Sequence, residues 1–362
     1  MELSKQNILF FTRTMGLGGT ENVVLQLCEI FKPLVNNIVV CSCGGENVRR
    51  LNEMGIRHYT IPNIEDKSPF VMLKTAKELL KIVQEENITV IHTHHRMAAF
   101  YVAALRLYKK CSFINTSHNT FYNKKFLTKF AYKHARLIAC GDMVKKNLVD
   151  FLGLPDEKVT VIRNAIAPFD GQVIKDETIE KLRGEGCFIV GNIGRLSEQK
   201  GMEYYIQALP KVLKRHPETH FLIIGTGVLE ESLKEQVRQF NVENNIHFLG
   251  YRCDIQNLIS QLDLVVLSSL WEGLPLTPIE AFSVGKTVVA TAVDGTVEII
   301  EDNKSGRLIE PKKPEQIAES IIWMIEHPEE KKSMEREAKR RYEHEFSIER
   351  LSKAYIEFYK MI

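Results

Sequence analysis

A chain of 362 residues exceeds one average domain, and its 44% hydrophobic and 26% charged content excludes a disordered polymer. A formal net charge of +2 gives no global basic field for nucleic acid. Seven cysteines, none in a C-x-x-C pair and three of them (Cys28, Cys140, Cys187) in or beside apolar runs, point to free thiols in a reduced, cytoplasmic compartment.

The chain opens on Ile8-Leu9-Phe10-Phe11, which runs straight into a glycine loop and so reads as a strand, not as a secretory leader. Short apolar runs at 8–12, 38–43, 90–94, 113–118 and 137–141 alternate with amphipathic stretches at 20–31, 71–86 and 98–108. Strands of this length separated by helices predict a parallel, doubly wound α/β sheet with right-handed crossovers. The alternation pauses near 164–171 and restarts at 188–195, followed by runs at 221–225, 246–250, 264–269 and 287–292. The expectation is two Rossmann-like domains facing a central cleft: 1–168, 169–346, and a final helix at about 347–362. No apolar stretch approaches the ~20 residues of a spanning helix, so any membrane contact is expected to be peripheral.

Open α/β sheets bind ligands outside the carboxyl ends of their strands, so the loops after strands are the informative ones. The first is Gly16-Leu17-Gly18-Gly19-Thr20-Glu21, where glycines permit positive φ and close backbone approach at a helix N-terminus. A G-x-G-x-x-G dinucleotide fingerprint fails there, because Glu21 holds the third glycine's place. After the first strand of the second domain, Arg195 and Lys200 lie five apart in one loop and suit a diphosphate, Arg by its fork and Lys as a point charge. Glu272 precedes Gly273 after the strand at 264–269, a position suited to sugar hydroxyls, and the N–H groups of Gly273, Leu274 and Leu276 suit a phosphate. Thr277-Pro278-Ile279-Glu280 has the form of a capping box with proline at the first helical position, which gives Glu280 a structural role to weigh against a ligand role. His118 ends the strand at 113–118. His92, His94 and His95 cluster after the strand at 90–94 without a carboxylate or cysteine at metal-ligand spacing. No two aspartates lie two apart, so there is no D-x-D to hold a divalent ion on a diphosphate, and neither a metal nor a cofactor is expected.

Glu272 and Glu280, with seven residues between, resemble the E-x7-E signature of retaining GT-B glycosyltransferases, and the wider pattern is similar to glycosyltransferase family 4. Gly18-Gly19-Thr20-Glu21 resembles that family's N-terminal glycine motif, and Gly194-Arg195-Leu196 with Lys200-Gly201 resembles its diphosphate-binding segment. Val161-Ile162-Arg163-Asn164-Ala165 is similar to its hinge, although Pro-Asn-Gly is usual there; Gly225-Thr226-Gly227 and Phe248-Leu249-Gly250 also fit. The resemblance covers essentially the whole chain. It implies that Arg195 and Lys200 bind the donor diphosphate, that Glu272, Gly273 and Leu274 hold the donor sugar, and that Glu280 takes the ribose. It also implies that backbone near Arg252 reads the base, that His118 faces the sugar, and that the final helix returns to the N-terminal domain with Leu351, Tyr355 and Phe358 on one face. The reaction implied is transfer with retained anomeric configuration, from a UDP-sugar first and GDP-mannose second, to a glycan or lipid-linked hydroxyl. Rival readings are a nicotinamide-dependent oxidoreductase, a non-catalytic nucleotide-binding module and a nucleotide-sugar 2-epimerase.

On a helix, Lys125, Lys129 and Lys133 form an i, i+4, i+8 stripe beside Phe126 and Phe130. That pairing suits an anionic membrane surface on the cytoplasmic leaflet; the competing reading is a solvated lysine face with both phenylalanines in the core.

Overall fold

The structure, a computed structural model, describes residues 2–362. The chain forms two compact units, one holding the residues up to Asn164 together with Glu349–Ile362, the other Ala165–Ile348.

The first unit carries a seven-stranded sheet: β1 (Asn7–Phe11), β2 (Asn37–Ser42), β3 (Arg57–Thr60), β4 (Val90–Thr93), β5 (Ser112–Ser117), β6 (Arg136–Ala139) and β7 (Val159–Val161). Every pairing is parallel, in the order β3-β2-β1-β4-β5-β6-β7. β1 is apolar at four successive positions because helices cover both faces, and Ile8 to Phe11 are all fully buried. Ile8 sits opposite both Ile38 and Val90, so the winding reverses on either side of β1. The final helix, Ile348–Lys360, belongs to this unit through the buried face of Leu351, Tyr355, Phe358 and Tyr359.

The second unit repeats the scheme with β8 (Phe188–Ile193), β9 (Thr219–Ile224), β10 (Ile246–Gly250), β11 (Leu264–Leu267), β12 (Val288–Thr291) and β13 (Gly306–Ile309). The order is β10-β9-β8-β11-β12-β13, again all parallel, with the reversal at β8 and β11. Its core joins Val190, Ile206, Leu209, Phe221, Ile223 and Val266. In such sheets the ligand crevice lies where the strand order reverses.

The boundary falls four residues earlier than the sequence pause suggests. Ile166 N–H donates to Phe346 O (3.2 Å) and the Tyr342 hydroxyl donates to Ile166 O (3.0 Å), which ties the segment after Asn164 to the second unit. β3 and β13 had no apolar run to announce them. Both are edge strands; β3 reads Arg57-His58-Tyr59-Thr60 and none of its residues is fully buried. No helix among the described residues is long and apolar enough to cross a membrane.

Candidate functional site

In the second unit, β8 ends at Ile193 and runs into Gly194-Arg195-Leu196, and β11 ends at Leu267 and runs into Ser268-Ser269. These are the two strands at the reversal, and their loops bring four expected residues together. The Lys200 ammonium donates to Glu272 Oε1 at 2.6 Å, and both side chains are largely withdrawn from solvent. Ser269 Oγ donates to the same oxygen at 2.7 Å, and Glu272 N–H donates to Asp294 Oδ2 at 3.0 Å. Lys200 also acts on Glu280, whose carboxyl is pushed up to about 7 by burial and drawn back down by the ammonium. Arg195 is exposed, and its guanidinium makes no ion pair among the described residues.

Backbone-on-backbone packing fixes these loops. Gly201 has φ +54° and lies so close to Ser268 O that a Cβ would approach it to 2.3 Å. A Cβ on Gly225 (φ +142°) would lie 2.0 Å from Gly194 O, and one on Gly295 would lie 1.9 Å from Gly273 O. The Lys200 stem lies over Gly194, within 3.3 Å of where a Cβ would be. The loops after β8, β9, β11 and β12 therefore form one close-packed floor, from which Arg195 projects and against which Lys200 lies.

Two expectations change here. The helix at the E-x7-E segment is Leu276–Ser283, with Pro275 as N-cap and no side-chain cap bond, so Thr277 is inside the helix and no capping box forms. The proline at 275 presets the entry two residues earlier than the Thr-Pro signal suggests. Glu280 thus has no capping role and remains half-buried with its carboxyl beside Lys200. Leu274 already has a partner within the chain, and Gly273 O is covered by Gly295, so of the proposed backbone donors Leu274 is not free. The Arg252 side chain is committed to Asp176 (2.6 Å) and Asp254 (2.7 Å).

In the first unit the reversal lies at β1 and β4. Gly18 is the N-cap of the helix Gly19–Phe31 with φ −164°, an extended conformation open to any residue, so the loop does not need its glycines for positive φ. Gly16 N–H donates to Thr14 Oγ1 (3.0 Å) and Gly16 O accepts from Asn47 Nδ2 (2.7 Å). Gly45 is where freedom is needed: φ is +140° and a Cβ would sit 2.4 Å from Gly16 N.

Beyond β4 and β5 the histidines engage one another. His94 Nδ1 lies 3.0 Å from His118 Nε2, with the rings stacked. His92 meets the Tyr359 hydroxyl at Nδ1 (2.8 Å) and Thr116 Oγ1 at Nε2 (2.7 Å). Burial pushes His118 down to about 4 and holds His92 and His94 well below the usual imidazole range. All three are neutral at pH 7, so His118 offers hydrogen bonding rather than charge. His94 Nε2 is buried without a partner. The His94 to His118 contact, Ser269, Asp294 and Gly45 were not singled out from the sequence; a buried histidine two residues past His92 on the same strand line was the available signal for the first.

The helix carrying the lysine stripe spans Lys125–Tyr132. Phe126 is 88% and Phe130 47% exposed, and Lys125, Lys129 and Lys133 are exposed, which overturns the core reading of the phenylalanines. The buried side is Thr128, Ala131 and Tyr132.

Two doubly wound parallel sheets, one in each unit, are the GT-B class of fold. The family model for Glycosyltransferase Family 4 matches residues 17–168, and the one for Glycosyl transferases group 1 matches 174–341. The chain belongs to glycosyltransferase family 4 and is a glycosyltransferase. An uncharacterized glycosyltransferase of Methanocaldococcus jannaschii is 26% identical over 87% of this chain and 86% of its own length. The Escherichia coli UDP-Gal:alpha-D-GlcNAc-diphosphoundecaprenol alpha-1,3-galactosyltransferase is 27% identical over 81% of each. Among solved structures, Anabaena HepE in complex with UDP and glucose has a TM-score of 0.85 at 21% identity, covering 99% of this chain and 100% of that one. That last likeness shows the fold.

Proposed function

We propose that this enzyme moves a sugar from a nucleotide-sugar donor, a UDP-sugar before GDP-mannose, to a hydroxyl acceptor with retained anomeric configuration and without a metal. The observation that carries the reading is the Lys200, Glu272 and Ser269 cluster beside an unpaired Arg195 at the strand-order reversal. A donor diphosphate draws Lys200 away from Glu272 and takes the Arg195 fork, and the freed carboxylate then accepts hydrogen bonds from the sugar. Glu280 takes the ribose hydroxyls. In the transfer the bond from the anomeric carbon to the diphosphate oxygen breaks, the acceptor oxygen bonds to that carbon on the same face, and the acceptor proton passes to the departing diphosphate. Arg195 and Lys200 stabilise the charge that develops there. The absence of a D-x-D sequence leaves that duty to cations and backbone dipoles. His118, neutral, hydrogen-bonds the transferred sugar. HepE in complex with UDP and glucose, and the galactosyltransferase named for UDP-Gal, support the donor class.

The acceptor is proposed to be a lipid-linked or surface-polysaccharide precursor, met at an anionic membrane surface through Lys125, Lys129 and Lys133 with Phe126 and Phe130. Their joint exposure supports that contact. Co-sedimentation should require anionic vesicles and disappear when the three lysines become glutamate.

Release of UDP or GDP from a panel of sugar nucleotides, with EDTA and without, tests the reaction. Turnover should survive EDTA, and Arg195→Ala should lower it by ~10²-fold, the usual cost of one transition-state donor. Arg195 is the clean variant because it is exposed and unpaired, whereas Lys200→Ala also strands a buried carboxylate. Turnover by Arg195→Ala equal to the parent's, or binding of NAD in preference to UDP, would overturn the reading.

A further inference from the structure

A second charged cluster lies wholly within the first unit, and the donor chemistry above makes no use of it. Four cations gather at the carboxyl end of the first sheet, each from a different strand-end loop. Arg13 follows β1, Lys67 follows β3, Arg96 opens the helix after β4, and Lys124 stands just before the helix Lys125–Tyr132 that follows β5. Glu65 sits among them, with Oε2 2.7 Å from Arg13 and Oε1 3.7 Å from the His95 ring. Asp66, next in the chain, is turned instead to the Ser68 N–H at 2.8 Å.

The arrangement is held from beneath. The Arg96 guanidinium donates to Asn123 Oδ1 (3.1 Å) and Thr128 Oγ1 (3.3 Å) and lies 4.7 Å over the Phe121 ring. Lys124 takes the left-handed conformation, φ +50°, which a lysine adopts at a cost. Lys67, first, and then Arg96 press on the Lys124 ammonium and hold it below the usual lysine range, with Glu65 pulling the other way. His95 is pushed down to about 4 by burial and adds no charge at pH 7. Among the charged groups that act on Glu65 and Lys124, four cations face the single carboxylate of Glu65, so positive charge is in excess there. Like charges held together repel unless an anion joins them, and an Arg fork with two ammonium groups matches the oxygens of a phosphate.

We propose that Arg13, Lys67, Arg96 and Lys124 form a subsite for a phosphoryl or diphosphoryl group carried by the acceptor. The word acceptor rests on the transferase reading above; the binding of a phosphate anion at this place does not. Glu65 holds Arg13 in position and competes with the anion for it. The acceptor class that fits is a sugar or alcohol ester of phosphate, with the hydroxyl to be glycosylated beyond the anion.

Calorimetric titration of the full chain with inorganic pyrophosphate tests this, in an Arg195→Ala background that weakens the donor side. Lys67→Gln with Lys124→Gln should lower pyrophosphate affinity by tenfold or more. Both side chains are exposed, so the fold is not at risk, and a circular dichroism melt verifies it. Glu65→Gln should raise affinity several-fold by removing the competing carboxylate. Equal pyrophosphate affinity in the double lysine variant and its background would overturn the proposal. So would a double variant that keeps pyrophosphate affinity but no longer co-sediments with phosphatidylglycerol vesicles, since the cations would then serve lipid headgroups. UDP affinity, measured on the same samples with Arg195 restored, should be unchanged by the lysine substitutions. Failure of the parent to bind UDP would defeat the donor reading while leaving the pyrophosphate result standing, so the two fail separately.

Discussion

The two sheets wind in the same order, three-two-one-four, and reverse at equivalent strands. At that reversal the second unit places a withdrawn ion pair, Lys200 with Glu272, and a half-buried carboxyl, Glu280. The first unit places buried neutral imidazoles, His92 and His94, below the half-buried His118, and keeps its cations outside them. Topology supplies the same crevice twice; the side chains decide what each is for. The difference is physical: one crevice holds an internal ion pair, the other uncharged imidazoles.

What the crevices share is a loop seated against a glycine with positive φ, and breaking that seat gives the largest expected effect. Gly225→Ala puts a Cβ 2.0 Å from Gly194 O at φ +142°, and Gly45→Ala puts one 2.4 Å from Gly16 N at φ +140°. Overpacking costs roughly 1–3 kcal/mol and the unfavourable backbone about 1–2 kcal/mol, so each should lose ~2–5 kcal/mol in urea unfolding. Trp271 and Trp323 both lie in the second unit, so their fluorescence should report Gly225→Ala and leave Gly45→Ala to circular dichroism. A parental midpoint for Gly45→Ala would break the parallel.

Acid and base should pull the two units in opposite directions. His118 falls from 6.5 to about 4 on folding, so its contribution is intact above 6.5 and lost as pH drops toward 4. At about 1.4 kcal/mol for each unit of displacement, reduced because His118 is half-buried, ~2 kcal/mol is the expected size, and His92 and His94 add in the same direction. Glu280 rises from 4.5 to about 7, so its contribution is present below 4.5 and lost as pH climbs through 7. Because Glu280 is half-buried, ~2 kcal/mol is the expected size. Glu280→Gln should therefore stabilise the second unit at pH 8, leave it unchanged at pH 4 and, on the transferase reading, weaken donor binding. Tryptophan-detected melts across pH 4–8 measure it, and an equal gain at both ends would show that Glu280 is not the titrating group.

The strand series, the two-sheet architecture and the grouping of Lys200, Glu272 and Glu280 were legible because buried parallel strands are continuous apolar runs and their sites follow them immediately. β3 and β13 were hidden because edge strands need no such run. The capping box at Thr277 was a false signal, since Pro275 starts the helix two residues earlier. Asp294, Ser269 and the Arg13 to Glu65 contact come from residues 22 to 52 apart or inside plain loops, where spacing carries no trace of approach. The exposure of Phe126 and Phe130 was undecidable by periodicity, because an outward and an inward aromatic stripe have the same period.

The smallest effect concerns how the first unit holds its imidazoles in place. Tyr359 and Tyr355, four apart on the final helix, reach the sheet from residues more than 230 positions away in the chain. The hydrogen-bond chain runs from the Tyr359 hydroxyl to His92, from His92 to Thr116, and from Thr116 to the Tyr355 hydroxyl at 3.3 Å. Burial keeps His92 neutral, so one ring nitrogen must donate and the other accept; hydroxyls can do either, and the chain is satisfied in both directions. Tyr359→Phe removes a partner and leaves Nδ1 bare in a dry site, at a cost of about 1–2 kcal/mol. Tyr355→Phe should cost less, roughly 0.5 kcal/mol, because Thr116 keeps its bond to His92 and the lost contact is the longer one. Neither change touches the second unit, so tryptophan fluorescence should not register them while circular dichroism does. If Tyr355→Phe proved the costlier, the order of the chain would be wrong, and Thr116 would depend on the tyrosine rather than on His92.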